Sequence, residues 1–347
     1  MNRQPFLRGS ALAVLSAALF GVTTPLVRHF GAGVGAFATG CLLYAGAALG
    51  AGPPRRRADE PSVGWPELPR VALVAAFGAA LAPAALAWGL QRVGALTSSL
   101  LLNLEALFTV GLARALYGER IGRRAALAVS AMLAGGGVLA LRAGQSGEFS
   151  ALGLGAVIVA TLFWALDNTL TRPLADFDPR AVVFWKATLG AALSALAALI
   201  SADHWPRGGA LLGLLACGMT GYGLSLRLYL TAQRAIGAAR TGSLFAVGPF
   251  VGATLAFALG DRAGGALVLF SALLFSLGVY LHLSEAHRHR HAHETLEHEH
   301  AHRHDDGHHQ HSHDPAVTGS HSHRHRHEAT EHDHPHASDL HHHHEHH

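Results

Sequence analysis

Gln91-Arg92-Val93-Gly94, followed by Gly118-Glu119-Arg120, comes back as Gln233-Arg234-Ala235-Ile236-Gly237, followed by Gly260-Asp261-Arg262. The shift is about 142 residues, and upstream Leu19-Phe20 returns as Leu162-Phe163 at nearly the same distance. Motifs that recur in order at one spacing indicate two copies of one structural plan. The copies run over 10–142 and 151–284, and a segment of different composition, 285–347, follows them.

Half of the 347 residues are hydrophobic and only 14% are charged. From Ser10 to Ser284, apolar stretches of about 18 to 24 residues follow one another, each able to cross a hydrocarbon core of about 30 Å as a helix. Ten are predicted, over 10–30, 34–52, 68–90, 96–117, 124–142, 151–174, 179–200, 208–230, 241–259 and 265–284. They are apolar all round, where a soluble helix would carry a polar face. The expected fold class is an all-α membrane protein, ten transmembrane helices in two five-helix repeats, with the lipid bilayer as partner. Cys41 and Cys217 lie inside apolar spans and read as small buried hydrophobes. No enzyme motif stands out: no Gly-rich phosphate loop ends in Lys, and no nucleophile has a base at workable spacing.

Arginine sets the orientation. With the N-terminus inside, the inner segments hold Arg3, Arg8, Arg55, Arg56, Arg57, Arg70, Arg120, Arg123, Arg124, Arg172, Arg180, Arg234 and Arg240. The outer loops hold only Arg28, Arg92, Arg142, Arg207 and Arg262. This predicts a multi-pass protein of the cytoplasmic (inner) membrane with both termini cytoplasmic. Five spans per copy is an odd number, so the second copy enters from the opposite side and the repeats are inverted. That architecture serves alternating access, with a substrate site near the midplane.

Three stretches carry a family resemblance: Ala18-Leu-Phe-Gly-Val-Thr-Thr-Pro25 in span one, Asn103-Leu-Glu-Ala-Leu-Phe108 in span four, and Val247-Gly-Pro-Phe250 in span nine. With the Gly-acid-Arg endings after spans four and nine, the chain resembles the drug/metabolite transporter superfamily, EamA type, over roughly residues 10 to 284. The resemblance implies a gradient-coupled carrier, commonly an exporter, of a small organic molecule, with a homodimer admitted. Ala106 departs from the family pattern, which has proline after Leu-Glu, whereas Pro249 keeps it. A helix break is therefore expected in span nine rather than span four.

Ionisable groups at membrane depth cost at least ~2.5 kcal/mol each and mark a pathway or a pair. Glu105 lies about eight residues into span four, roughly 12 Å deep, and reads as a substrate or proton site. Asn103 and Gln91 are polar candidates near it. Asp167 and Lys186 stand about equally far from the turn joining spans six and seven, so in an antiparallel hairpin they can meet as a buried ion pair. Asn168, Tyr222 and Ser225 offer hydrogen bonds at depth, with helix packing an equal reading. Trp88, Trp164, Trp185 and Trp205 read as interfacial anchors.

After Ser284 the sequence turns polar and holds every histidine except His29, His204 and His282. Such a tail has no core to bury and is expected to be disordered and cytoplasmic. His287, His289, His291 and His293, then His298, His300, His302 and His304, then His321, His323, His325 and His327, alternate with other residues. Alternating imidazoles suit Zn, Ni, Co or Cu as a low-specificity buffer, and the same tail is pH-responsive near the ordinary histidine range. No cofactor is required. Acids outnumber arginines in the tail, which argues against nucleic acid. Two alternatives keep the tail central: a divalent transition-metal transporter that gathers ions there, and a membrane-anchored metal buffer or sensor.

Overall fold

The computed structural model describes residues 3–54, 63–117, 123–145, 151–174, 177–236, 238–261, 265–283, 287–292, 296–302, 321–327 and 331–336. Up to residue 283 the described residues form ten helical segments. They are α1 Arg3–Phe30, α2 Ala36–Ala51, α3 Leu68–Val93, α4 in two pieces (Ala95–Leu101 and Leu104–Tyr117), α5 Arg123–Gln145, α6 Ala151–Thr171, α7 Pro179–Ile200, α8 Gly208–Gln233 with a last turn to Ile236, α9 in two pieces (Ala238–Phe245 and Gly248–Ala258), and α10 Ala266–Leu283. Six of these, α1, α3, α4, α6, α7 and α8, are long and apolar enough to cross a membrane, and the other four are shorter apolar helices.

Packing repeats the sequence repeat. Helix α1 lies on α8 and on the second piece of α9, while α6 lies on α3 and on the second piece of α4. Helix α2 pairs with its own counterpart α7, and α5 with α10. Replacing each helix by the one five places along maps these contacts onto themselves. The closest crossings use glycine: a side chain at Gly21 would run into the backbone of Gly248, and one at Gly218 into that of Leu43.

Both copies interrupt the same helices. Ala75–Leu81 of α3 and Gly218–Leu224 of α8 are π-helical, 143 residues apart. Helices α4 and α9 break at Leu102-Asn103 and Ala246-Val247. The break in α4 goes beyond the expectation, which favoured span nine over span four for its proline, since no proline is needed. The amides of Asn103, Glu105 and Ala106 turn to carbonyls three residues back, and Asn103 Nδ2 donates to Leu100 O at 2.9 Å. An asparagine that satisfies the loose end of its own helix does the work of proline.

In α3 the π segment has a specific chemical result. The Ala82 amide reaches back five residues to Phe77 O, so the next amide in that register would be that of Pro83, which has none. Gly78 O takes side-chain donors instead, Tyr44 Oη at 2.7 Å and Trp164 Nε1 at 3.1 Å. Trp164 is accordingly buried in the bundle, not an interfacial anchor as its position in the sequence suggests.

At the end of the bundle away from the N-terminus, the far end, the connections are fastened to one another. Asp203 Oδ2 accepts from Phe37 N (2.8 Å) and Ala38 N (3.0 Å) at the start of α2, beside Gly35 N donating to His204 O (2.9 Å). Asp261 Oδ2 accepts from Leu96 N at 3.1 Å at the start of α4, with Arg28 Nη1 at 3.6 Å from the same oxygen. Carboxylates suit helix N-termini because they meet unpaired amides and the positive end of the dipole. Gly94 joins α3 to α4 at φ +95°, and a side chain there would meet the Arg28 guanidinium.

One large contact has no comparable counterpart in the other copy among the described residues. The first piece of α4 packs on the second piece of α9 towards the far end, whereas the corresponding pair at the near end makes no comparable contact among the described residues.

Beyond α10, where composition predicts disorder, four short strands appear. β1 His287–Ala292 pairs antiparallel with β4 Glu331–His336, and β2 Leu296–His302 with β3 His321–His327. Alternating sequence has the period of a strand, although a lone two-stranded ladder is marginal in water. The register sets His287, His289 and His291 opposite His336, His334 and His332, and His298, His300 and His302 opposite His325, His323 and His321.

Candidate functional site

Three helices bring the predicted ionisable groups together. Asp167 on α6 and Lys186 on α7 form a buried ion pair, Lys186 Nζ to Asp167 Oδ2. Thr171 Oγ1, one turn on, donates to Asp167 Oδ1 at 3.1 Å. The register of α7 is set at its start, where Asp178 caps through Oδ1 to Arg180 N (3.0 Å) and Pro179 occupies the first turn. Helix α3 closes over the pair, and any side chain at Gly78 would collide with the Asp167 carboxylate.

Glu105 sits in the first turn of the second piece of α4, aimed there by the break before it. Its Oε1 accepts from Asn168 Nδ2 at 2.6 Å. Glu105 is half-buried and Asn168 exposed, whereas Asp167 is buried. Among the described residues, Asp167 and Lys186 are the charged groups within electrostatic range of Glu105, which itself lies within range of Tyr44 and Tyr229. Glu105, Asp167 and Lys186 are one electrostatic unit of two carboxylates and one ammonium.

An aromatic cluster adjoins it. The Phe20 ring lies 6.0 Å from Trp164, 5.8 Å from Tyr222 and 5.4 Å from Phe245, with Tyr44 5.4 Å from Tyr222 and Tyr229 5.0 Å from Phe245. These rings come from α1, α2, α6, α8 and α9. Of these rings, sequence reasoning singled out Tyr222 for a hydrogen bond at depth or helix packing and Trp164 as an interfacial anchor, and did not foresee the cluster. The usable signal for Tyr44 was a phenol in mid-span, which must find an acceptor when buried.

The remaining predicted residues lie elsewhere. Asn103 is buried at the α4 break and bonds its own helix. Gln91 is at the far end, where Nε2 donates to Gly31 O and Val34 O, both at 3.0 Å, fastening the α1–α2 connection to α3. Ser225 exchanges bonds with Ser16, Oγ to Ser16 O at 2.9 Å and Ser16 Oγ to Ser225 O at 2.7 Å, which is helix packing between α1 and α8. Among the tail histidines singled out, His293 and His304 lie outside the described residues, and the others fall in β1, β2 and β3. No group of three or more His, Cys, Asp or Glu among the described residues is placed to hold a metal ion.

The EamA-like transporter family model matches residues 7–141 and again 151–284. A solved protein crystal structure is similar in fold, with a TM-score of 0.56 and 19% identity, over 80% of this chain and 95% of that one. At that identity the likeness speaks for the fold alone. No curated protein matches the sequence.

Proposed function

This chain belongs to the EamA-like transporter family, and on that premise we propose that it exports a small organic metabolite by alternating access between inverted repeats. It is a multi-pass membrane protein of a family of transporters, not enzymes. In this reading all ten helical segments cross the cytoplasmic membrane, both termini are cytoplasmic, and the near end of the bundle faces the cytoplasm. The observation that carries it is an asymmetry of packing: α4 lies on α9 at the far end, with no comparable contact at the near end among the described residues. With Asn168 exposed beside Glu105, this supports a conformation closed to the outside and open inward. Glu105, Asp167 and Lys186 are then the substrate or coupling groups, with Tyr222 in the wall.

The tail binds Zn, Ni, Co or Cu and tunes the carrier. Supporting this are the histidines set opposite one another at alternate positions of both ladders, which suits imidazole chelation. The test is to compare intracellular and medium metabolite and metal contents in cells with and without the protein, then with Glu105→Ala. An organic solute enriched in the medium only with the intact site supports export. A change confined to metals favours the metal-transport alternative.

A further inference from the structure

The two carboxylates of the site solve the same problem differently. Each is a negative charge at membrane depth, where an unpaired charge is expensive. Asp167 has an ammonium, Lys186, and is sealed from solvent. Glu105 has a neutral amide, Asn168, as its hydrogen-bond partner, and is the less buried of the two. Asp167 and Lys186 pair with each other, so neither serves as its counter-charge. Glu105 is thus the carboxylate without a counter-charge, and the less buried of the two.

From this the geometry points to an organic cation as substrate: an ammonium or guanidinium group that pairs with Glu105, on an apolar body that packs against the aromatic cluster. The inference rests on the transporter reading and names the chemical class that such a carrier takes. An anion would add a third negative charge to a site with one ammonium. An uncharged solute would displace water from Glu105 without giving it a counter-charge. A cation supplies the missing partner, and Tyr229, within electrostatic range of Glu105, leads to Phe245 and Phe20 at ring separations of 5.0 and 5.4 Å. Aromatic faces attract cations and apolar groups alike.

The experiment uses three solutes of one shape and different charge, phenethylammonium, phenylacetate and phenylacetamide, in counterflow into proteoliposomes carrying the full chain. The cation is expected to move at least about tenfold faster than the other two. Glu105→Gln keeps the hydrogen bond to Asn168 but not the charge, and should abolish the preference; Glu105→Asp keeps the charge and should retain it. Preference for the anion or the amide, or a preference that survives in Glu105→Gln, overturns the inference while the transport reading stands. If none of the three moves, the inference falls, and a blank metabolite comparison then removes the transport reading as well.

Discussion

Gly78 concentrates the constraints of the site in one peptide unit. Its carbonyl is held by Tyr44 and Trp164 because Pro83 offers no amide, and its Cα lies against the Asp167 carboxylate. Tyr44→Phe leaves Trp164 on that carbonyl and should cost about 1 kcal/mol, whereas adding Trp164→Phe orphans a buried acceptor and should cost more than the sum of the single changes. Gly78→Ala forces a methyl against Asp167 and should destabilise by about 1–3 kcal/mol, read as a lower melting temperature in detergent. For the ion pair, Asp167→Asn or Lys186→Met each strands a buried charge at about 3–5 kcal/mol, and the double substitution should recover most of that loss. A double variant whose loss equals the sum of the two single losses would show that the pair carries no coupling energy.

At the level of elements, much was legible and some was hidden. Span positions followed from apolar length alone, and the six–seven hairpin placed Asp167 opposite Lys186 by counting from the turn, because helix rise is constant. The π segments were hidden because a shift from four-residue to five-residue bonding leaves composition unchanged. The break in α4 was hidden because the expectation rested on proline, while Asn103 supplied the carbonyl partner. Trp164 misled because an indole suits both an interface and a buried acceptor. The motifs that announced the repeat contain Gln91 and Asp261, whose duties at the far end became visible only with their backbone partners. Replacing Asp261 by alanine frees the start of α4 and removes the counter-charge of Arg28. A cysteine placed at Thr97, buried in the first turn of α4, should then react several-fold faster with a membrane-impermeant maleimide added outside; an unchanged rate counts against Asp261 as a fastener.

For the whole molecule, the repeat foretold two copies of one plan but not where their packing departs from symmetry, since both copies carry the same motifs. Orientation is testable directly: a reporter active only in the periplasm, fused after Ser284, should stay silent. Removing 287–347 should leave organic solute transport in place while the purified protein loses most of its Zn or Ni binding, measured by metal content after dialysis. The far-end fastening has a genetic corollary. Its donors to Asp203 and Asp261 are the amides of Phe37, Ala38 and Leu96, and the acceptors for Gln91 are the carbonyls of Gly31 and Val34. Main-chain groups survive most substitutions, so the mutational fragility of this fastening collects at the side chains of Gln91, Asp203 and Asp261, with Arg28 beside Asp261, and at Gly35 and Gly94, where an added side chain would strike Asp203 or Arg28.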